Sequence, residues 1–469
     1  MLDPVKITQQ MELTLAHAKQ AGVDFAECFV ERCEAANFVS TKSNCEPPEM
    51  RHWQGLGLRL IDGERVGYVC TTDVSPAGFK QALSNALTIA GKKPPLAGYT
   101  AASGFALPPL CNYAETKNKY TWETQRPTVA FVVEKIAALS EDLRRGVAHL
   151  TSWTTGFSST FQEVYVGSTD GVFGYDIRLN QLLRMLLTCA DGSHRSEIGD
   201  RIGCTSRPAF LATVDHGIMM TNLKESAAQM LRAGFAPSGD FPVVLSPDGG
   251  VILHEACGHS LEVTAVRRGT SPFRNDLGKR VAQEFVNAID EGHAPDAYGS
   301  IDMDDEGQPV RPSPLIENGI LVNFLSDKLG ESRLGFKRRG NARRQDYRYA
   351  PVARMRNTYI QPGPHNFGDM LASIDRGIYC KRLGGGSVMS TGDYNFSVEE
   401  AWEIRGGKLT QPLKGAVLIG DGHKTLADIS MVGSEFELST GTCGASSGLV
   451  PVTDAVPHMK VESLTVGGR

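Results

Sequence analysis

The 469-residue sequence has no run of about 18 apolar residues, the length a membrane-crossing helix requires. Its opening, MLDPVKITQQMELTLAHAKQ, lacks the basic start and apolar core of a secretory leader. A cytoplasmic protein without a membrane partner is therefore expected. Strong charge of one sign is also missing. The net charge of −5 gives no global attraction to nucleic acid or anionic lipid, so nucleic acid is not an expected partner. Ten cysteines in so long a chain fall short of the density of a disulfide scaffold and read as reduced thiols. No internal repeat or low-complexity tract is present.

What the sequence does have in excess is glycine, 50 residues, which predicts many turns and close backbone approaches. Its length predicts two or three domains. Ile7, Met11, Leu15 and Ala18 recur at helical spacing up to Gly22. Leu56, Leu58 and Leu60 alternate into Asp62-Gly63, and Val66, Tyr68 and Cys70 alternate out, a hairpin signal. Ser75-Pro76 opens a second helix, and a third is expected from about Pro127 to Gly146. Residues 150–204 read as an antiparallel meander, and a helix follows from Ile218 to Arg232. GFAPSGDFP (Gly234 to Pro242) is the best linker candidate. The second half carries hairpin signals at Asn318-Gly319 and Gly406-Gly407. The fold class expected is α+β. Residues 1–235 form a mixed helix and antiparallel-sheet domain, with a candidate internal split near 92–118. Residues 236–469 form a β-rich domain carrying a metal-site helix.

That helix is expected in GGVILHEACGHSLEV (Gly249 to Val263), where His254, Glu255 and His259 form H-E-x-x-x-H. Most histidines in any chain are surface or satisfied core residues, so the pair is suggestive only. At about 100° per residue, a spacing of five turns the two rings about 140° apart on a regular α-helix, too far to share an ion. One extra residue in the turn, a π-bulge, would realign them, and Gly258 lies where it could ease the distortion. On an undistorted helix the pairs His254 with Cys257 and His259 with Glu262 share faces instead. Spacing alone leaves the third ligand open among Cys257, Glu262 and a distant residue. A carboxylate beside a ligating histidine suits a general base, and Glu255 takes that role.

Other stretches carry weaker signals. Cys443 sits in the glycine-rich ELSTGTCGASSGLVPV, where a thiol can reach a metal across a cleft but an ordinary buried cysteine is the simpler reading. The G-x-S-x-G match at Gly444 to Gly448 lacks the context of a serine nucleophile. DMDDEG (Asp302 to Gly307) reads as an acidic turn, since its calcium-loop frame ends on Ser313. The basic run GFKRRGNARRQDYRY reads as a solvated face, with Arg343 and Arg344 as an alternative clamp on a substrate carboxylate. Gly384, Gly385 and Gly386 suit either a mobile loop or a strand that an extended peptide can approach.

Together LHEACGHSLE, RRGTS, IDMDDEG, LIENGIL, GNARRQDY, RMRNTYI, GGGSV, KGAVLIGDG, GTCG and LTVGG resemble, in order and spread, the metal-bearing branch of the TldD/PmbA family of metallopeptidases. The resemblance implies one zinc ion held by His254, His259 and Cys443, with Glu255 as base. It also implies a short or unfolded polypeptide substrate, bound extended inside a cavity enclosed by a dimer. That dimer would be a homodimer or a heterodimer with a non-metal sister subunit. The alternative is a non-hydrolytic metal-binding subunit or modulator of a protein partner. One departure stands out: the family pattern after Cys443-Gly444 continues with lysine and then glycine-glutamine, whereas this chain has ASSGLVP.

Overall fold

The alternations of the first half become one sheet. In the computed structural model, which describes residues 3–42, 44–93, 99, 105–115, 126–389 and 391–468, it contains β1 (Phe25–Thr41), β2 (Glu49–Asp62), β3 (Arg65–Thr71), β4 (Cys111–Asn112), β5 (Leu150–Ser168), β6 (Val172–Asp191) and β7 (His194–Thr205). Its order is β3-β2-β1-β5-β6-β4, with β7 paired to β6, and every pairing is antiparallel except β4 with β6. Helices Pro4–Gln20 and Pro76–Ile89 bury Met11, Leu15, Phe79 and Leu83 against Leu56, Leu58 and Leu60. Helices Val129–Arg144 and Gly217–Leu231 cover a second cluster around Phe157 and Leu183. Ser75 and Thr128 cap two of these helices through side-chain oxygens that accept backbone N–H groups. Of the expected split near 92–118, residues 94–98, 100–104 and 116–118 lie outside the described residues.

The second half is strand-rich: β8 (Gly234–Phe235), β9 (Gly239–Leu245), β10 (Ala288–Glu291), β11 (Ser313–Glu317), β12 (Ile320–Leu321), β13 (Ala342–Arg343), β14 (Val352–Ala353), β15 (Asn357–Ile360), β16 (Arg376–Val388), β17 (Asp393–Arg405), β18 (Lys408–Lys414), β19 (Ala416–Asp421), β20 (Ile429–Val432), β21 (Glu437–Ala445), β22 (Gly448–Val456) and β23 (Met459–Gly467). One sheet runs β16-β9-β23-β19-β17-β18-β8, and the additional β16–β17 pairing closes its first five strands into a ring. A second runs β12-β11-β10-β15-β22-β21 and leaves β21 at its edge. The Asn318-Gly319 and Gly406-Gly407 turns have positive φ at both residues, as a type I′ hairpin demands. The fold is thus α+β. The expected linker is a correction: Gly234–Phe235 pairs with Lys414 and its neighbour, and Gly239–Leu245 is a sheet strand. The continuous buried run Val243, Val244 and Leu245 at the end of this strand, with its pairing to β23, outweighs the local glycine and proline signal.

The two halves meet through buried charge. DMDDEG is an acidic turn, but an interior one, with Asp304, Asp305 and Glu306 all buried. Arg59 on β2 bonds Glu27 at 2.7 Å and Glu306 at 2.6 Å, and Arg178 on β6 reaches Asp305 at 2.6 Å. Arg344 bonds Glu27 and the Asp305 carbonyl. The basic run is therefore not a solvated face around Arg344: its guanidinium lies inside this network because acids from both halves converge there.

Candidate metal centre

After β9, Ser246 accepts the Asp248 N–H and opens a short 3-10 turn at Pro247–Gly249. The helix that follows changes pitch twice. Gly250–Leu253 is α-helical, His254–Gly258 makes one π-helical turn, and His259–Leu261 tightens into a 3-10 turn. A π turn spans five residues and so returns a five-residue interval toward one side, which a regular helix does not. The His254 and His259 rings lie 6.4 Å apart between centroids, at 73° to each other. A Cβ at Gly258 would stand 2.0 Å from Met355 Sδ, so any larger residue there would force that side chain to move. Glu255 belongs to the π turn, and its side chain lies outside the described residues.

Cys443 approaches from β21, 184 positions after His259. Its Sγ is 3.1 Å from His259 Nε2, while His259 Nδ1 donates to Glu262 Oε2 at 3.0 Å. Burial raises the thiol pKa, but the adjacent His259, with its hydrogen bond, then His254 and Arg354 outweigh it and hold Cys443 below the ordinary thiol range. Cys257 is buried as well, yet its Sγ–H donates to the Gly422 carbonyl at 3.2 Å, and burial pushes its thiol well up.

Two imidazoles and a thiolate are a zinc-type donor set. Among the described residues, no three His, Cys, Asp or Glu side chains stand in closed metal-holding geometry. His259 Nε2 and Cys443 Sγ, at 3.1 Å, are within a few tenths of an ångström of the roughly 3.5 Å between two donors on a tetrahedral zinc ion. The 6.4 Å between the rings is about 1 Å more than two imidazoles on such an ion require. By the chemistry of their donors, with a lowered thiol next to one imidazole and a second imidazole ring beside it, these residues fit a zinc ion.

A cavity of about 740 Å³ is lined by Thr442 and Gly444, the chain neighbours of Cys443, by Gly384–Gly386, and by Leu186 of β6, while His254, His259 and Cys443 are not among its lining residues. β9 pairs with β16 only at Ile378–Cys380, whereas β17 pairs with it as far as Val388. Among the described residues, the glycine stretch thus has a partner strand on one side only. Gly384 and Gly386 are demanded by packing, because a Cβ would meet Ser397 Oγ at 2.4 Å or the Phe396 ring at 2.2 Å. Gly385 faces open space. Charge also lines the cavity: Arg382 pairs with Asp200 at 3.3 Å, and Asp248 accepts the Leu383 N–H at 3.0 Å. Burial, with Asp248 adding to it, pushes the Glu399 carboxyl up to about 7 against the pull of Arg382.

Arg343 and Arg344 are not brought to this cavity. Arg343 is buried and donates to the Met355 and Pro451 carbonyls, and burial lowers its pKa to about 9. Arg344 is spent on Glu27 and Asp305. The residue that sequence reasoning missed is Arg354, the first arginine of RMRNTYI, which donates to the Cys443 carbonyl at 2.6 Å. Nothing in its local pattern distinguishes it from Arg356, which is bound instead to Asp290.

Among the described residues, no helix is long and apolar enough to cross a membrane. Residues 238–468 match the family model for the PmbA/TldA metallopeptidase C-terminal domain, and residues 26–90 match that for PmbA/TldA metallopeptidase domain 1. The chain is 31% identical to a metalloprotease TldD homolog of Haemophilus influenzae, over 100% of this chain and 98% of that one. It is 30% identical to a zinc metalloprotease TldD homolog of Saccharolobus solfataricus, covering 66% and 70% of the two chains. Its fold matches the crystal structure of TldE from Thermococcus kodakarensis with a TM-score of 0.76, 19% identity and coverage of 98% and 100%.

Proposed function

Since the chain belongs to the PmbA/TldD metallopeptidase family, we propose that it is a zinc-dependent peptidase, with one ion held by His254, His259 and Cys443. The observation that carries this reading is the 3.1 Å approach of Cys443 Sγ to His259 Nε2 across 184 residues, with the thiol pKa lowered where burial alone would raise it. The bound ion supplies Lewis acidity to a water and to the scissile carbonyl. Glu255 takes a proton from the attacking water and passes it to the leaving amine.

A short or unfolded polypeptide lies extended in the cavity, with backbone hydrogen bonds to the one-sided edge of β16 beside Gly385. Such an edge reads main chain and not side chains, which suits unstructured substrates and excludes folded ones. The active assembly is a dimer, with a second copy or with a non-metal sister subunit.

Glu255→Gln is expected to retain zinc and to lower cleavage of unstructured peptides by about 10²–10⁴-fold. Zinc analysis and a peptide digest on the same preparation check both halves. An unchanged cleavage rate sinks the assignment, and the alternative of a non-hydrolytic metal-binding modulator then stands.

A further inference from the structure

We propose that Glu262 is a positioning residue for the metal centre and that Arg354 ties it to the strand bearing Cys443. The proposal rests on the metallopeptidase reading and deepens it. Glu262 was one of the ligands that sequence spacing left open, but its carboxylate lies on the other nitrogen of His259. Oε2 accepts the Nδ1–H at 3.0 Å, and the side chain is only 6% exposed, so water competes little for that bond. A carboxylate on one imidazole nitrogen fixes the proton there and leaves the other as the donor toward a metal. The nitrogen left is Nε2, the one facing Cys443 Sγ.

Arg354 is fully buried and connects the two stretches of chain that supply the donors. One Nη donates to the Cys443 carbonyl at 2.6 Å, and the other donates to Ser447 Oγ at 2.9 Å and the Gly448 carbonyl at 2.8 Å. Its Nε lies 4.0 Å from Glu262 Oε1. The planar fork thus grips the β21–β22 turn on one side and faces the carboxylate that orients His259 on the other. A lysine, with one charged nitrogen, cannot hold both. The ASSG departure after Cys443 supplies part of this grip, since Ser447 and Gly448 are two of its acceptors.

The test compares zinc affinity, by competition with a chelator, in full-length wild type, Glu262→Ala and Glu262→Gln, alongside thermal melts of the metal-free proteins. Cobalt substitution reports the thiolate bond through its absorption. Glu262→Ala is expected to bind zinc about 10–100-fold more weakly than wild type while its metal-free melt stays close to wild type. Glu262→Gln keeps an oxygen that accepts from Nδ1–H but loses the charge, so it recovers part of that loss. Wild-type affinity in both variants overturns the proposal and leaves the metal reading intact. A wild-type protein that binds no zinc overturns both. If Glu262→Ala does not fold, the glutamine variant decides alone, and wild-type affinity in it is the overturning result.

Discussion

Cys257 and Cys443 are both buried, and both lie near the histidine pair, yet their surroundings are opposite. Cys257, three residues from His254, turns its Sγ–H to the Gly422 carbonyl, and burial favours the neutral thiol. Cys443 comes instead from the sheet strand β21, and the ring of His259 with its hydrogen bond favours the thiolate against the same burial. Closeness along the chain therefore says little about which sulfur is a ligand. What matters is the charge each sulfur faces, and that is set by tertiary packing.

The strongest way to break this contrast is to remove each sulfur in turn. Cys443→Ala should reduce bound zinc to a small fraction of one ion per chain after dialysis, whereas Cys257→Ala should retain wild-type content. Metal analysis of the purified variants reads the difference directly. The reverse result would move the third ligand into the π turn beside His254.

A smaller effect follows from removing the ion. Binding to the folded state alone stabilises by RT ln(1 + [L]/Kd), or about 3–4 kcal/mol at 100–1,000 times Kd. Chelation should therefore lower the melting temperature of wild type and of Cys257→Ala by a few degrees, and leave that of Cys443→Ala unchanged. Scanning calorimetry with and without chelator checks this. Equal shifts in all three proteins would mean that the ion sits elsewhere.

Much of this contrast was legible beforehand, and the reasons differ from part to part. The need for a bulge between His254 and His259 followed from helix geometry, and the π turn at His254–Gly258 has that form. Local alternation and turn chemistry were enough for the hairpins at Asp62-Gly63, Asn318-Gly319 and Gly406-Gly407. Cys443 could not be singled out by spacing, because a partner 184 residues away leaves no periodic trace; only the family resemblance pointed to it. The basic run around Arg343 and Arg344 misled, since a charge run normally signals solvent. The acids that bury Arg344 lie at Glu27 and Asp305, far away in sequence. Residues 234–242 misled for a similar reason, as strand pairing with Lys414 and with β23 outweighs local glycine and proline.

The smallest expected effect is the dependence of metal-free stability on pH, and here the two cysteines should differ in sign. Each thiol titrates near 9.0 when unfolded. Cys257 has a raised folded value, so the folded state keeps a proton that the unfolded chain loses above that pH. Its contribution is present below about 9 and declines as the pH rises further. Cys443 has a lowered folded value, so between that value and 9.0 the unfolded chain binds the extra proton. Its contribution is present above 9.0 and is lost as the pH falls through the folded value. In chelated protein, Cys257→Ala should therefore flatten the decline in melting temperature on the alkaline side of 9, and Cys443→Ala should flatten the rise on the acid side. Melts from pH 6 to 10.5 separate the two, and matching slopes in both variants would show that the electrostatic contrast between the sulfurs is not there.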